Sequence, residues 1–343
     1  MRIFLLKSLV FTASFLLFHI ELIIGKLMLP GFGGGYLVWG VSMATFQGLL
    51  LIGYVHLHLL NQHFTIQWFS KWQGGLLLGS LFLFPIQTEY LQNPSYQTPP
   101  LLEIMFLLVF GIGGFFFLLA GLSIYAQLHL STSSLKESEN PFILYASSNL
   151  GAFTSLLTYP LLFEPNFDVY TQLLQWQICY GTLVFLFIMI IFLIPIKKEM
   201  RRGPVAFPPS PQVFQWLFLS AAPSALFLAV TNQITFDIAP IPLLWIFPLA
   251  IYLLTLILSF KKNPFCPKWV LNSQFWAMTI GLLLFLIKSS GYSLFELLAD
   301  EYEVYHIKNF TSAIIAEPAL QLVICFVCCL TCHYRLSQAR PKE

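Results

Sequence analysis

Ten stretches of roughly twenty apolar residues recur along the chain, and their length limits the fold more than any other feature. A helix needs about 20 such residues to cross a hydrocarbon core. Segments 8–29, 36–60, 71–88, 101–128, 141–163, 171–196, 213–235, 241–260, 269–288 and 312–333 meet that need. The third, beginning WQGGLLLGSLFLFP, is the shortest and is glycine-rich. Only 9% of the 343 residues are charged, against 57% hydrophobic. Soluble domains carry about 25% charged residues, so this chain has too few to cover a water-facing surface. The expected class is all-α, a polytopic transmembrane bundle of about ten spans whose first partner is the lipid bilayer.

Lys and Arg set the orientation, because they collect on the cytoplasmic side. With the N-terminus inside, all seventeen fall in cytoplasmic segments except Lys26, Lys288 and Lys308. Both termini are therefore expected in the cytoplasm (N-in/C-in). The opening MRIFLLK is basic like a signal peptide, yet Glu21 and Lys26 stand where a cleavage site should come next. The first segment is expected to stay as a span.

The stretch IKKEMRRGPVAFPPSPQ combines four basic residues with four prolines. It divides the chain into a six-span bundle (1–196), a basic, proline-rich cytoplasmic linker (197–212) and a four-span bundle (213–343). Residues 289–310 form an acidic outer loop with room for an interfacial amphipathic helix. The net charge of +2 and the lack of a basic patch exclude nucleic acid as a partner. No phosphate-binding glycine loop or HExxH zinc motif is present, so no cofactor is expected.

Ionisable and amide groups at membrane depth are expensive and therefore functional candidates. Glu21 and Lys26 lie in the outer half of the first span. Glu164 ends the fifth, beside Pro165. Asp237 comes after the seventh, near Pro240 and Pro242, with Asn232 and Gln233 a turn deeper. Glu317 opens the tenth, beside Pro318, with Gln321 below it. On the expected topology all five charges face the extracytoplasmic side, and Glu164, Asp237 and Glu317 lie beside prolines that break the helical backbone. Such a set suits a cationic solute or a proton path; solvated loop-edge residues or structural pairs are the plainer alternative. Asn149, in YASSNLGAFTSLLTYP, belongs either to the path or to helix packing. Tyr36 and Trp39 are candidates for cation–π contact.

His56 and His58 are two apart and diverge on a helix, so they make a poor metal pair. His19 reads first as a neutral core imidazole. Cys325, Cys328, Cys329 and Cys332 share one helix face, a geometry that does not wrap a tetrahedral zinc; packing or acylation suits them better. Gly111, Gly113, Gly114 and Gly121 are expected to permit close helix contact.

Three stretches, ELIIGKLMLPGFGGGYLVWG, NPFILYASSNLGAFTSLLTYPLLFEP and DIAPIPLLWIFPLAIYLLTLILSF, resemble the membrane region of bacterial fused transporter/spermidine-synthase-like proteins. CHYRLSQARP is similar to the segment where that family leaves a span. The resemblance implies a transporter-like module in a bacterial inner membrane. The family's aminopropyltransferase-like domain has no counterpart in these residues, so no enzyme activity is expected. The expected function is binding or moving a small, polyamine-like cation through Glu21, Lys26, Glu164, Asn149, Asn232, Gln233, Asp237 and Glu317. The alternative is a non-catalytic membrane scaffold for a separately encoded synthase-like or membrane partner.

Overall fold

The computed structural model describes residues 2–34, 36–95, 98–196, 209–237, 246–289 and 307–339. Much of the linker, Pro240 and Pro242, and most of the acidic outer loop therefore lie outside the described residues. The chain separates into two compact units, Met1–Ala206 and Phe207–Lys342. Among the described residues both are built of helices, with no strand beyond one isolated bridge between Ser133 and Ile196.

In the first unit, α1 (Arg2–Phe32) is the central helix, against which most of the others pack. Its Leu9, Val10, Leu16, Ile20 and Ile23 are almost wholly buried. Around it lie α2 (Tyr36–His63), α3 (Ile66–Ser80), the short α4 (Glu89–Gln92), α5 (Pro100–Gly111) and α6 (Gly113–Thr132). The unit is completed by α7 (Ile143–Thr158), the single turn α8 (Glu164–Asn166) and α9 (Val169–Leu193). The second unit holds α10 (Ser210–Asp237), α11 (Ile246–Phe260), α12 (Lys268–Ser289) and α13 (Ile307–Gln338).

Among the described residues, seven helices are long and apolar enough to cross a membrane: most of α1, α2, α6, α9, α10, α12 and α13. The other three expected spans fall on the shorter α3, α7 and α11. At 1.5 Å per residue, the 15-residue α3 reaches only about 22 Å. It ends in a tight turn at Leu81–Leu83 and does not run on to residue 88. The expected fourth span is two helices, α5 and α6, broken at Ile112 among glycines.

Large apolar side chains point outward along these helices, with Phe82, Phe110 and Phe192 each more than 80% exposed. In water such surface invites association; against lipid tails it is the correct face. The apolar helices thus mark an integral membrane protein.

Where polar groups are buried, most find partners, as a medium without water demands. Trp176 donates its indole N–H to the Leu16 carbonyl at 2.7 Å. The hydroxyls of Tyr125 and Tyr180 meet Ser70 and Ser80 at 2.8 and 2.7 Å. His129 joins Tyr125 and the Ile194 carbonyl through its two ring nitrogens. In the second unit Thr255 Oγ1 lies 2.8 Å from His333 Nδ1.

Two glycines explain close helix approaches. A Cβ on Gly151 of α7 would sit 2.1 Å from the Phe11 carbonyl oxygen of α1, and one on Gly121 would reach Leu57 at 2.9 Å. Gly114, expected to do the same, faces open space. Gly33 has φ +74°, a left-handed conformation that lets the chain turn from α1 toward α2.

Candidate functional site

The expected site residues divide between the two units. Glu21, Lys26, Asn149 and Glu164 belong to the first; Asn232, Gln233, Asp237 and Glu317 belong to the second.

In the first unit, Pro160 decides the local geometry. It has no N–H to bond the carbonyl four residues back. The chain answers with a wider turn over Tyr159–Phe163, closed by the Glu164 N–H on the Tyr159 carbonyl. Such turns add a residue to the helix and rotate the side chains beyond it. Tyr159 and Phe163 thereby flank His19, their rings perpendicular to the imidazole at 5.4 and 4.4 Å, while Phe15 stacks on it at 5.2 Å. Ser155 Oγ lies 3.4 Å from His19 Nδ1. His19, 3% exposed, is a core imidazole held in an aromatic box.

The same turn brings Glu164 to Lys26, whose ammonium lies 3.4 Å from its Oε1. Lys26 is thus paired with α8 and not with Glu21 of its own helix. Glu21 is half-buried and makes no ion pair or side-chain hydrogen bond among the described residues. Asn149 donates to the Tyr145 carbonyl of its own helix at 2.8 Å. The Trp39 ring packs onto Gly25, where a Cβ would come within 2.4 Å of it. Tyr36's side chain lies outside the described residues.

The second unit contains a cavity of about 410 Å³ between α10, α12 and α13. That volume lies within the range of small-molecule sites. Its wall is largely Phe, Leu, Val and Met, interrupted by three amides, Gln233, Gln274 and Gln321, one from each helix. Cys328 and Cys332 add two thiols, and among the described residues no charged side chain lines it. Gln321 is only 8% exposed, and its Oε1 has no hydrogen-bond partner. Of the expected residues, Gln233 alone among those with described side chains lines the cavity. Asn232 is exposed elsewhere on α10, and Glu317 sits a turn before Gln321, half-buried. Asp237 closes α10, and its side chain lies outside the described residues.

The cysteine face of α13 splits by role. Cys325 and Cys329 are fully buried against Val230 and Ile234, and Cys329 donates its thiol to the Pro223 carbonyl at 3.7 Å. Cys328 and Cys332 look into the cavity. Among the described residues no three His, Cys, Asp or Glu gather as metal ligands.

The charge pattern of the chain does not point to Gln274, and it marks Gln321 only as a neighbour of Glu317. A signal for both is present all the same: each is an uncharged amide inside a long apolar segment, the kind of residue that in lipid seeks a partner.

The protein belongs to the class of helical integral membrane proteins. Comparison with known proteins finds no matching family model, no matching curated protein and no matching solved structure.

Proposed function

We propose that this is a non-catalytic, transporter-like protein of a bacterial inner membrane, with ten spans and both termini in the cytoplasm, which binds a small solute within its second unit. The observation that carries this reading is the cavity between α10, α12 and α13, whose apolar wall is interrupted by Gln233, Gln274 and Gln321. A few amides set in a mostly apolar wall are the lining usual for sites that orient a small molecule. The skew of Lys and Arg toward one side supports the orientation. The polyamine-like cation loses support, since Glu164 is neutralised by Lys26 and, among the described residues, the cavity wall carries no carboxylate.

Native mass spectrometry of protein extracted gently from its own membranes tests the binding. Wild-type protein should carry a bound small molecule, and Ala229→Trp, which fills the cavity, should lose it. Identical spectra would remove the cavity as a solute site. Green fluorescent protein fused to the C-terminus should fluoresce and alkaline phosphatase should be inactive there; the opposite pair of results overturns the orientation.

A further inference from the structure

We infer that one end of the second unit, built from the loop between α11 and α12 and the last turn of α13, binds the headgroups of anionic phospholipids. None of its residues lines the cavity.

Lys261 and Lys262 follow α11 directly, Lys268 opens α12, and all three are exposed. The loop folds back, with the Phe265 N–H on the Leu258 carbonyl at 2.9 Å. That fold seats Cys266 against the apolar cluster shared by α12 and α13. Arg335, exposed in the last turn of α13, lies close enough for its charge to act on the Cys266 thiol. In the sequence Arg335 is far from the three lysines; the fold brings it to their loop. No Asp or Glu occurs between Asp237 and Glu296 or between Glu317 and Glu343. No carboxylate of the loop, or of the helix ends beside it, therefore neutralises these cations.

The start of α12 independently calls for an anion. Pro267 accepts the Val270 N–H on its carbonyl at 3.0 Å, but it has no side-chain acceptor to cap the N–H groups of Lys268 and Trp269. Lys268 adds positive charge at the positive end of the helix dipole, the unfavourable placement. A phosphate there accepts from the free N–H groups and neutralises the lysine.

Two rings decide between a lipid and a soluble anion. Phe265, 51% exposed, holds the Lys261 ammonium 4.9 Å from its ring centre, and Trp269 is 62% exposed. Lys268 is the first residue of a helix long enough to cross the membrane, so both rings stand at headgroup depth, where aromatic side chains settle. Free phosphate or an acidic peptide makes no use of them. A phospholipid meets the cations with its phosphate and the rings with its glycerol and first methylenes.

The test is native mass spectrometry of the delipidated full chain, titrated with phosphatidylglycerol, phosphatidylcholine and inorganic phosphate. Phosphatidylglycerol should bind about 25-fold more tightly than phosphatidylcholine, two lysines contributing about fivefold each. Lys262→Gln/Lys268→Gln should bring the two lipids level. Its phosphatidylcholine binding should stay unchanged, which shows that the double variant is folded. Lys71→Gln removes an exposed lysine of the first unit and should keep the preference in full. Equal binding of both lipids to wild-type protein, or the same loss of preference in Lys71→Gln, overturns the assignment. Inorganic phosphate that displaces phosphatidylglycerol at matched concentration marks a site for free anions and overturns the lipid as occupant.

Discussion

Lys26 and Glu164 stand 3.4 Å apart, each side chain 31% exposed, joining α1 to the turn beyond α7. The pair is intermediate between a surface bridge and a buried one, so screening by solvent limits its worth. Lys26→Met or Glu164→Gln should each lower stability by about 1 kcal/mol. The charge-exchanged double variant Lys26→Glu/Glu164→Lys should recover most of the loss. Thermal unfolding in detergent supplies the cycle; strictly additive losses would mean the two groups are not coupled.

Close helix contact predicts a sharp contrast between two glycines. Gly151→Ala puts a Cβ against the Phe11 carbonyl, a backbone atom that moves only with its helix. A loss toward the upper end of the 1–3 kcal/mol typical of overpacking is expected, at about 3 kcal/mol. Gly114→Ala meets nothing and removes backbone freedom from the unfolded chain, so it should gain about 0.5–1 kcal/mol. Melting temperatures of the two variants should therefore move in opposite directions.

At the start of α9, Asp168 accepts from the Thr171 hydroxyl and from the backbone N–H groups of Thr171 and Tyr170. The Thr171 hydroxyl contributes most to holding its carboxyl below the usual carboxylate range, with the backbone donors next. A carboxyl lowered in the folded state stabilises fully above its unfolded pKa, near pH 4. That contribution fades as pH falls through the lower folded value. The melting-temperature gap between wild type and Asp168→Ala should hold steady from about pH 7 to 5 and shrink below about pH 4. Thr171→Val should shift the shrinkage to higher pH; a gap that widens on acidification contradicts the assignment.

Gln321 offers a test of what an unpaired buried amide does to stability. Because its oxygen is buried and unpartnered, Gln321→Leu should stabilise the ligand-free protein by about 1–2 kcal/mol. A fall in melting temperature without ligand would show that the amide already has a structural partner.

The class of protein is legible from local chemistry. Hydropathy belongs to each residue and its near neighbours, so α1, α2, α9, α10 and α12 can be located, and His19 read as core, without knowing what packs where. Helix length is less legible. The break at Ile112 and the end of α3 at Ser80 depend on backbone turns that apolar composition does not encode.

The partner of Lys26 depends on tertiary structure. Glu21 lies five residues away on the same helix, off the spacing at which side chains meet, while Glu164 is far along the chain. Only the widened turn at Pro160, and the packing of α7 on α1 across Gly151, bring that carboxylate within reach.

Gln233, Gln274 and Gln321 show the same division. Each is visible in the sequence as an amide in an apolar segment, but nothing local links the three. By itself the sequence determined that the chain is helical, apolar on its outer face and suited to lipid. The tertiary structure decided which polar groups neutralise one another and which line a cavity. The rotational phase of each helix about its own axis sets those meetings, and that phase is chosen by packing against neighbours.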